Sequence, residues 1–246
     1  VTTPPRYYLD TEFIDDGVTE TLQLISIGII CDDGRELYLV NSEFDESRCD
    51  DWLKENVLKQ LPLCTCPGGG ALDHLGHNAP DCKWRTRNQI RDAIIAFVPD
   101  PGNEVKPEFW AFFASYDWVL FAQLFGKMIN LPKHFPWLVN DLKTWAKHLG
   151  YTGKFKELLP NTGHHDALAD ARWNRDVHKI LMEKLTSTQK LLGTTLVEAM
   201  ALYDEKCTGC NLQTSCECPS SGHGADCRRD REAAVRKVIT DLGLTS

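Results

Sequence analysis

The stretch RYYLDTEFIDDGVTETLQLISIGIICDDGRELYLVN, residues 6–41, decides the reading of the fold. Within it, Leu22–Cys31 is a continuous apolar run of the kind that forms a buried strand. Asp32-Asp33-Gly34 follows as a strong hairpin-turn signal, and Arg35–Asn41 continues as the partner strand. Ahead of both, Arg6–Asp10 is a short β-rich run that ends in an acid. Three successive strands are therefore expected, with the last pair antiparallel.

Outward from this stretch the pattern alternates. Residues 50–60 have helical character, but Pro62–Pro80 is rich in Gly, Pro, Cys and His without periodicity and reads as a loop or insertion. Helical spacing returns over Asn88–Val98, with Ile90, Ala93, Ile94 and Phe97 on one face. Glu108–Ala114 reads as a fourth strand, Trp118–Phe125 as a helix and Trp137–Val139 as a fifth strand. Helices are expected over Asp141–Leu149, from Asp166 to about Leu185, over 196–203 and over Arg229–Leu242. The expectation is an α/β fold with a mixed five-stranded sheet flanked by helices. Its main domain covers 1–200, with a Cys/His-rich insertion at about 62–83, and a Cys-rich extension with a terminal helix covers 201–246.

The formal net charge of −8 argues against a protein that coats nucleic acid non-specifically, since that requires many cations on phosphates. It does not exclude a nuclease, whose carboxylates attract phosphate once metal ions occupy them. No apolar run reaches the length of roughly 20 residues that spans a membrane. The leading Val-Thr-Thr-Pro-Pro-Arg lacks the regions of a signal peptide, so a cytoplasmic location is expected. Lys83, Arg85 and Arg87 form a local basic stretch that could line a nucleic-acid path.

Three short segments carry acids. Asp10-Thr11-Glu12 places two carboxylates two residues apart, on one face of an extended chain. Asp117 follows the fourth strand, where an N-cap is the plainer role. His165 precedes Asp170 by five positions at the mouth of the long helix, in the run HHDALADA whose alanines allow close packing on a sheet. Together these pieces suit two divalent ions that clamp the attacking and leaving oxygens of a phosphodiester. Oxygen ligands of this kind favour Mg²⁺ or Mn²⁺, and His165 is the candidate general base. Thr11 and Phe13, beside the first acids, are the candidate substrate contacts, Phe13 by stacking on a terminal base. Core packing is the competing role for Phe13. Trp110, Phe112, Trp118, Phe121 and Phe125 read as core.

Eight of the ten cysteines lie in two clusters, 64–82 and 207–227, and six of them share a layout: Cys-x-Cys-Pro, a glycine-bearing loop, Gly-His, then Cys, with Cys207 and Cys210 additional in the second. Three thiolates and an imidazole suit a tetrahedral structural Zn²⁺. Cys64, Cys66, His77 and Cys82 are the candidate ligands of the first site, with His74 a rival to His77. Four of Cys207, Cys210, Cys216, Cys218, His223 and Cys227 are candidates for a second. Structural zinc, at one site or two, is therefore expected.

Asp10-Thr-Glu12, Tyr116-Asp117 and His165-x4-Asp170 resemble the three motifs of the DEDDh 3′–5′ exonucleases, the DnaQ-like branch of the RNase H-like superfamily. The surrounding text (YLDTEFIDDG, LQLISIGII, WAFFASYDWVLFAQLFG, HHDALADARWN) is similar to the 3′–5′ exoribonucleases of actinobacteria and their phages, over about residues 6–185 apart from 62–82. The resemblance implies an RNase H-like sheet and Asp10, Glu12, Asp117 and Asp170 as ligands of two Mg²⁺ or Mn²⁺ ions. It also implies His165 as the base and release of nucleoside 5′-monophosphates from single-stranded RNA 3′ ends in a bacterial or phage-infected cell. A homodimer is compatible with it. Many DnaQ-like enzymes carry an Asn shortly before the second-motif Asp, and Phe113-Ala114-Ser115 offers none here. A DNA exonuclease of the same fold, and a non-catalytic zinc-bearing nucleic-acid adaptor, are the alternatives.

Overall fold

The apolar run near residue 25 forms strand β2, Gln23–Cys31, buried along almost its whole length. It lies beside β1, Arg6–Ile14, and the two occupy the middle of the sheet. The structure, a computed structural model, describes residues 4–17, 21–64, 66, 79, 81–102, 105–161 and 165–184. The chain divides into two compact units, Val1–Leu181 and Met182–Ser246, and nearly all described residues belong to the first. The helices expected over 196–203 and Arg229–Leu242, the boundary near residue 200 and the second cysteine cluster lie outside the described residues.

β3, Glu36–Asn41, pairs antiparallel with β2 across the expected turn. Gly34 closes that turn at φ +90°, a conformation glycine adopts without penalty. The sheet has six strands among the described residues, not the expected five, in the order β4-β3-β2-β1-β5-β6. The extra one is β4, Trp84–Arg85, which pairs parallel with β3 at one edge. Two residues carry too little periodicity for a strand to be visible in the sequence. β5, Glu108–Ala111, lies parallel to β1 and is shorter than the expected Glu108–Ala114, because the chain turns at Phe112–Ala114 with Phe113 at φ +58°. β6 is Asn140–Asp141, not the apolar Trp137–Val139; Trp137 and Leu138 are exposed.

Helices cover both faces. α1, Asp51–Asn56, is capped by Asp50 and followed by a tight turn over Leu58–Gln60. α2, Arg87–Phe97, opens with a Thr86/Gln89 capping box. α3 is Ser115–Gln123, α4 is Leu142–His148, and α5 is the single turn Phe155–Leu158. α6 covers residues 167–184 and buries Ala167, Ala171, Asn174, Val177, His178 and Leu181, a stripe of helical spacing.

Strand alternation sorts the core. Tyr7, Leu9, Ile27 and Ile29 pack with Phe109, Phe121 and Phe135 on one face. Tyr8, Ile30 and Trp110 pack with Leu142 and Ala171 on the other. Trp110, Trp118, Phe121 and Phe125 are buried as expected, whereas Phe112 is only partly so.

Candidate active site

β1 runs on past the end of its neighbour. Its pairing with β5 stops at Tyr8, while its pairing with β2 continues to Ile14. Beyond Tyr8, side chains supply partners for its backbone. Asn174 Nδ2 donates to the Leu9 carbonyl at 3.0 Å, and the Thr11 N–H donates to Asp117 Oδ1 at 2.9 Å. The exposed flank of a central strand thus becomes the floor of a site, and Asp10 and Glu12 lie within the strand, not at its end.

Alternation along β1 distributes the residues. Asp10 and Glu12 share a face with Tyr8, the face covered by α6. Carboxylate oxygens of Asp10, Glu12 and Asp170 lie within 4.8 Å of one another. Asp170 reaches them because α6 opens directly against β2. Asp166 caps it, accepting from the Ala169 N–H at 2.7 Å. A Cβ built on Gly28, the cross-strand partner of Asp10, would stand only 2.3 Å from the Ala167 carbonyl oxygen. Gly28 and the small residues Ala167 and Ala171 therefore permit this approach.

Asp170 is held on both oxygens, by the His165 N–H at 3.0 Å and by Asn161 Nδ2. His165 has φ +67°, a strained conformation for a non-glycine residue. Its ring meets the edge of Trp52 from α1, with centroids 4.7 Å apart and planes at 81°. Trp52 is half exposed.

Thr11 and Phe13 point the other way, toward α3. Thr11 is 5% exposed and spends both its N–H and its hydroxyl on Asp117 Oδ1, the latter at 2.7 Å. It positions an acid; as a substrate contact it has no donor left. Asp117 sits inside the first turn of α3, not at its cap, and stands outside the close trio. Phe13 stacks on Tyr116, rings 5.6 Å apart and 11° from parallel.

The acids suppress one another's ionisation. Burial, and then Asp117, Asp170 and Glu12, hold Asp10 well above the ordinary carboxylate range. Burial and then Asp170, Asp117 and Asp166 push Glu12 up to about 8. Burial lifts Asp117 to about 7, against the lowering pull of its Thr11 hydrogen bonds. Such a cluster has the character of a cation site: hard oxygen donors crowded together, stabilised as anions only by positive charge. Beside Asp10 and Asp170 opens a cavity of about 300 Å³ walled by Phe112, Phe155, Lys156 and Trp173.

The family model described as the 3′–5′ exoribonuclease Rv2179c-like domain matches residues 74–182. Two relatives from Mycobacterium tuberculosis, 3′–5′ exoribonuclease Rv2179c and 3′–5′ exoribonuclease MT2234.1, are each 38% identical over 168 residues. That match covers 68% of this chain and 87% of each relative. The chain belongs to the Rv2179c-like 3′–5′ exoribonuclease family. The family match includes Asp117, His165 and Asp170, while Asp10 and Glu12 precede it.

Elsewhere, Cys64, Cys66 and Cys82 bring their sulfurs within 4.8 Å of one another. His74 and His77, like Cys207, Cys210, Cys216, Cys218, His223 and Cys227, lie outside the described residues. Two of the basic residues expected to line a nucleic-acid path are turned to the protein itself. Arg85 donates to the carbonyls of Trp84 and Ala79, and Arg87 to that of Gln123. Trp52, Asn161 and Asn174 belong to the site surroundings but carry no local sequence signal, because each meets its partner through the tertiary fold. No described helix is long and apolar enough to cross a membrane.

Proposed function

We propose that this chain is a metal-dependent 3′–5′ exoribonuclease of RNase H-like fold, releasing nucleoside 5′-monophosphates from single-stranded RNA ends. The observation that carries the reading is the meeting of Asp10, Glu12 and Asp170 within 4.8 Å, with His165 bonded to Asp170 through its backbone. Asp10, Glu12 and Asp170 hold the ions, and Asp117, anchored by Thr11, completes the acidic set. Two bound Mg²⁺ or Mn²⁺ ions supply Lewis-acid stabilisation of the scissile phosphate. His165 accepts the proton of the attacking water. Phe13, backed by Tyr116, offers an aromatic face to the terminal base.

A time course on 5′-labelled single-stranded RNA with Mg²⁺ or Mn²⁺, run beside Asp10→Asn and a matched DNA, tests this. A ladder shortening from the 3′ end, absent in the variant and stronger on RNA, is expected. Equal cleavage of DNA would overturn the RNA preference and widen the substrate while leaving the mechanism standing. Absence of cleavage by folded, metal-loaded protein would remove the enzymatic reading altogether.

Trp52 is a positioning residue for His165 on this reading, fixing the imidazole by edge contact. Trp52→Ala is expected to lower kcat by roughly 10-fold, within the contribution of a positioned general base, with KM little changed. Trp52→Phe should restore most of the loss. A rise in KM with unchanged kcat would place Trp52 on the RNA instead.

A further inference from the structure

Among the described residues, the only other group of clustered metal-ligating side chains is the trio Cys64, Cys66 and Cys82, on the opposite side of β3 in sheet order from the acids of β1. We propose that these three thiolates bind a structural zinc ion that clasps the segment following α1 to the edge strand β4. This inference does not rest on the exonuclease reading.

Distance is the first argument. Cys64 and Cys82 sulfurs lie 3.8 Å apart, and all three sulfurs lie within 4.8 Å of one another. A tetrahedron with Zn–S bonds of about 2.3 Å has S···S edges of about 3.8 Å. The second argument is the surroundings of the sulfurs. The Cys66 N–H donates to Cys64 Sγ at 3.4 Å, an outer hydrogen bond that supports thiolate charge.

Topology supplies the third. β4 has two residues and is reached from β3 by a crossover of more than forty positions, so its own pairing offsets little of the cost of closing that loop. It pairs with β3 at two positions, Val40 with Trp84 and Asn41 with Arg85, flanked by the Val40 N–H to Lys83 O and the Ser42 N–H to Arg85 O. Cys82 stands two residues before β4, and Trp84 Nε1 donates back to the Pro62 carbonyl at 2.7 Å. The thiols thus sit where residues 62–64 and 66 meet residues 79 and 81–85, beside the buried Val40 and Trp84. A metal there fixes the junction from which Thr86 caps α2.

Ligand chemistry separates this site from the acids. Thiolates select zinc, whereas clustered carboxylates favour Mg²⁺ or Mn²⁺. A closed structural site takes four protein ligands. For a fourth position the sequence offers His77 and its rival His74, both outside the described residues.

Zinc content of the full chain, purified without added metal, is compared with that of Cys64→Ser/Cys82→Ser. Loss of one zinc equivalent per chain in the variant is expected, and equal content overturns the proposal. Because that variant can fail to fold, the wild-type protein is also alkylated with iodoacetamide before and after zinc chelation and read by peptide mass spectrometry. Protection of Cys64, Cys66 and Cys82 as a set, lost together on chelation, is expected. Equal labelling in both states, or a disulfide that resists labelling in both, overturns it. Retention of zinc in His77→Asn with unchanged protection would assign the fourth position to another ligand while supporting the three thiolates.

Discussion

Asp10→Asn is expected to abolish activity and, at the same time, to stabilise the protein when Mg²⁺ and Mn²⁺ are absent. The activity loss should exceed about 100-fold, a loss that changes to mere outer-shell partners of metal ligands already reach. The gain in stability follows from the burial of these acids and, second, from their crowding. Asp10 is held well above the ordinary carboxylate range, Glu12 is pushed to about 8 and Asp117 to about 7. A folded-state pKa above the unfolded value means that the native protein holds protons the unfolded chain has released. Stability from these groups is therefore fully present below about pH 4 and is lost as pH rises toward about 8. Without the ions, the wild-type melting temperature should fall across that window through the acid cluster, and added Mn²⁺ should restore more of it at pH 8 than at pH 5. Asp10→Asn replaces a carboxyl that the folded protein keeps protonated while the unfolded chain ionises it, so its melting temperature at pH 8 should exceed wild type by roughly 5 °C, at about 2–4 °C per kcal/mol for a chain of this size. Differential scanning fluorimetry across pH, with and without Mn²⁺, measures both trends. A wild-type curve flat from pH 5 to 8, with no benefit from the substitution, would falsify the picture of mutually repelling acids.

The legibility of this site in the sequence follows the range of the contacts involved. Asp10 and Glu12 were readable because strand alternation is a local rule, and the helix mouth at His165–Asp170 because a cap and a run of small residues are local too. What those acids lean on was not. Thr11 and Asp117 are separated by 106 positions, and Asn174 and Leu9 by 165. No spacing announces such pairs. Thr11 consequently read as a substrate contact when its donors serve Asp117. The sheet edges obey the same limit. Trp137-Leu138-Val139 has the side chains of a strand, yet pairing falls to the polar Asn140–Asp141, whose Asn140 amide and Asp141 carboxylate bind the Phe109 carbonyl and the Ala114 N–H. β4 was hidden because its place depends on β3 and, on the proposal above, on metal-bound thiols. The central strands, by contrast, carry their burial in composition: Gln23–Cys31 is apolar on both faces because helices cover both.

Gly28→Ala is expected to be among the most damaging single-methyl additions in the molecule. The new Cβ would lie 2.3 Å from the Ala167 carbonyl oxygen, 2.4 Å from its carbon and 2.5 Å from the Leu168 Cα. All three are backbone atoms, so no rotamer change relieves the overlap, and either β2 or the start of α6 must shift. Overpacking of this kind costs about 1–3 kcal/mol or more. Displacement of α6 has a second consequence. Asp170 stands one turn beyond Ala167, and Asp10 is the cross-strand partner of Gly28, so the added methyl pushes apart two members of the acid trio. Misplacement of about 1 Å in a reacting assembly can lower the rate by about 100-fold. Gly28→Ala should therefore lose activity on single-stranded RNA by a factor of that order, need more Mn²⁺ for half-maximal rate, and melt at lower temperature. Gly102→Ala is the control. Gly102 has φ +66° but nothing within 4 Å of a built Cβ, so its substitution strains a surface turn without approaching the site. It should cost some stability and leave the rate and the metal requirement unchanged. Parallel titration of the two variants separates a backbone penalty from a packing one. Wild-type activity and Mn²⁺ dependence in Gly28→Ala would mean that α6 can retreat from β2 without moving Asp170, and that the close approach is not what assembles the acids.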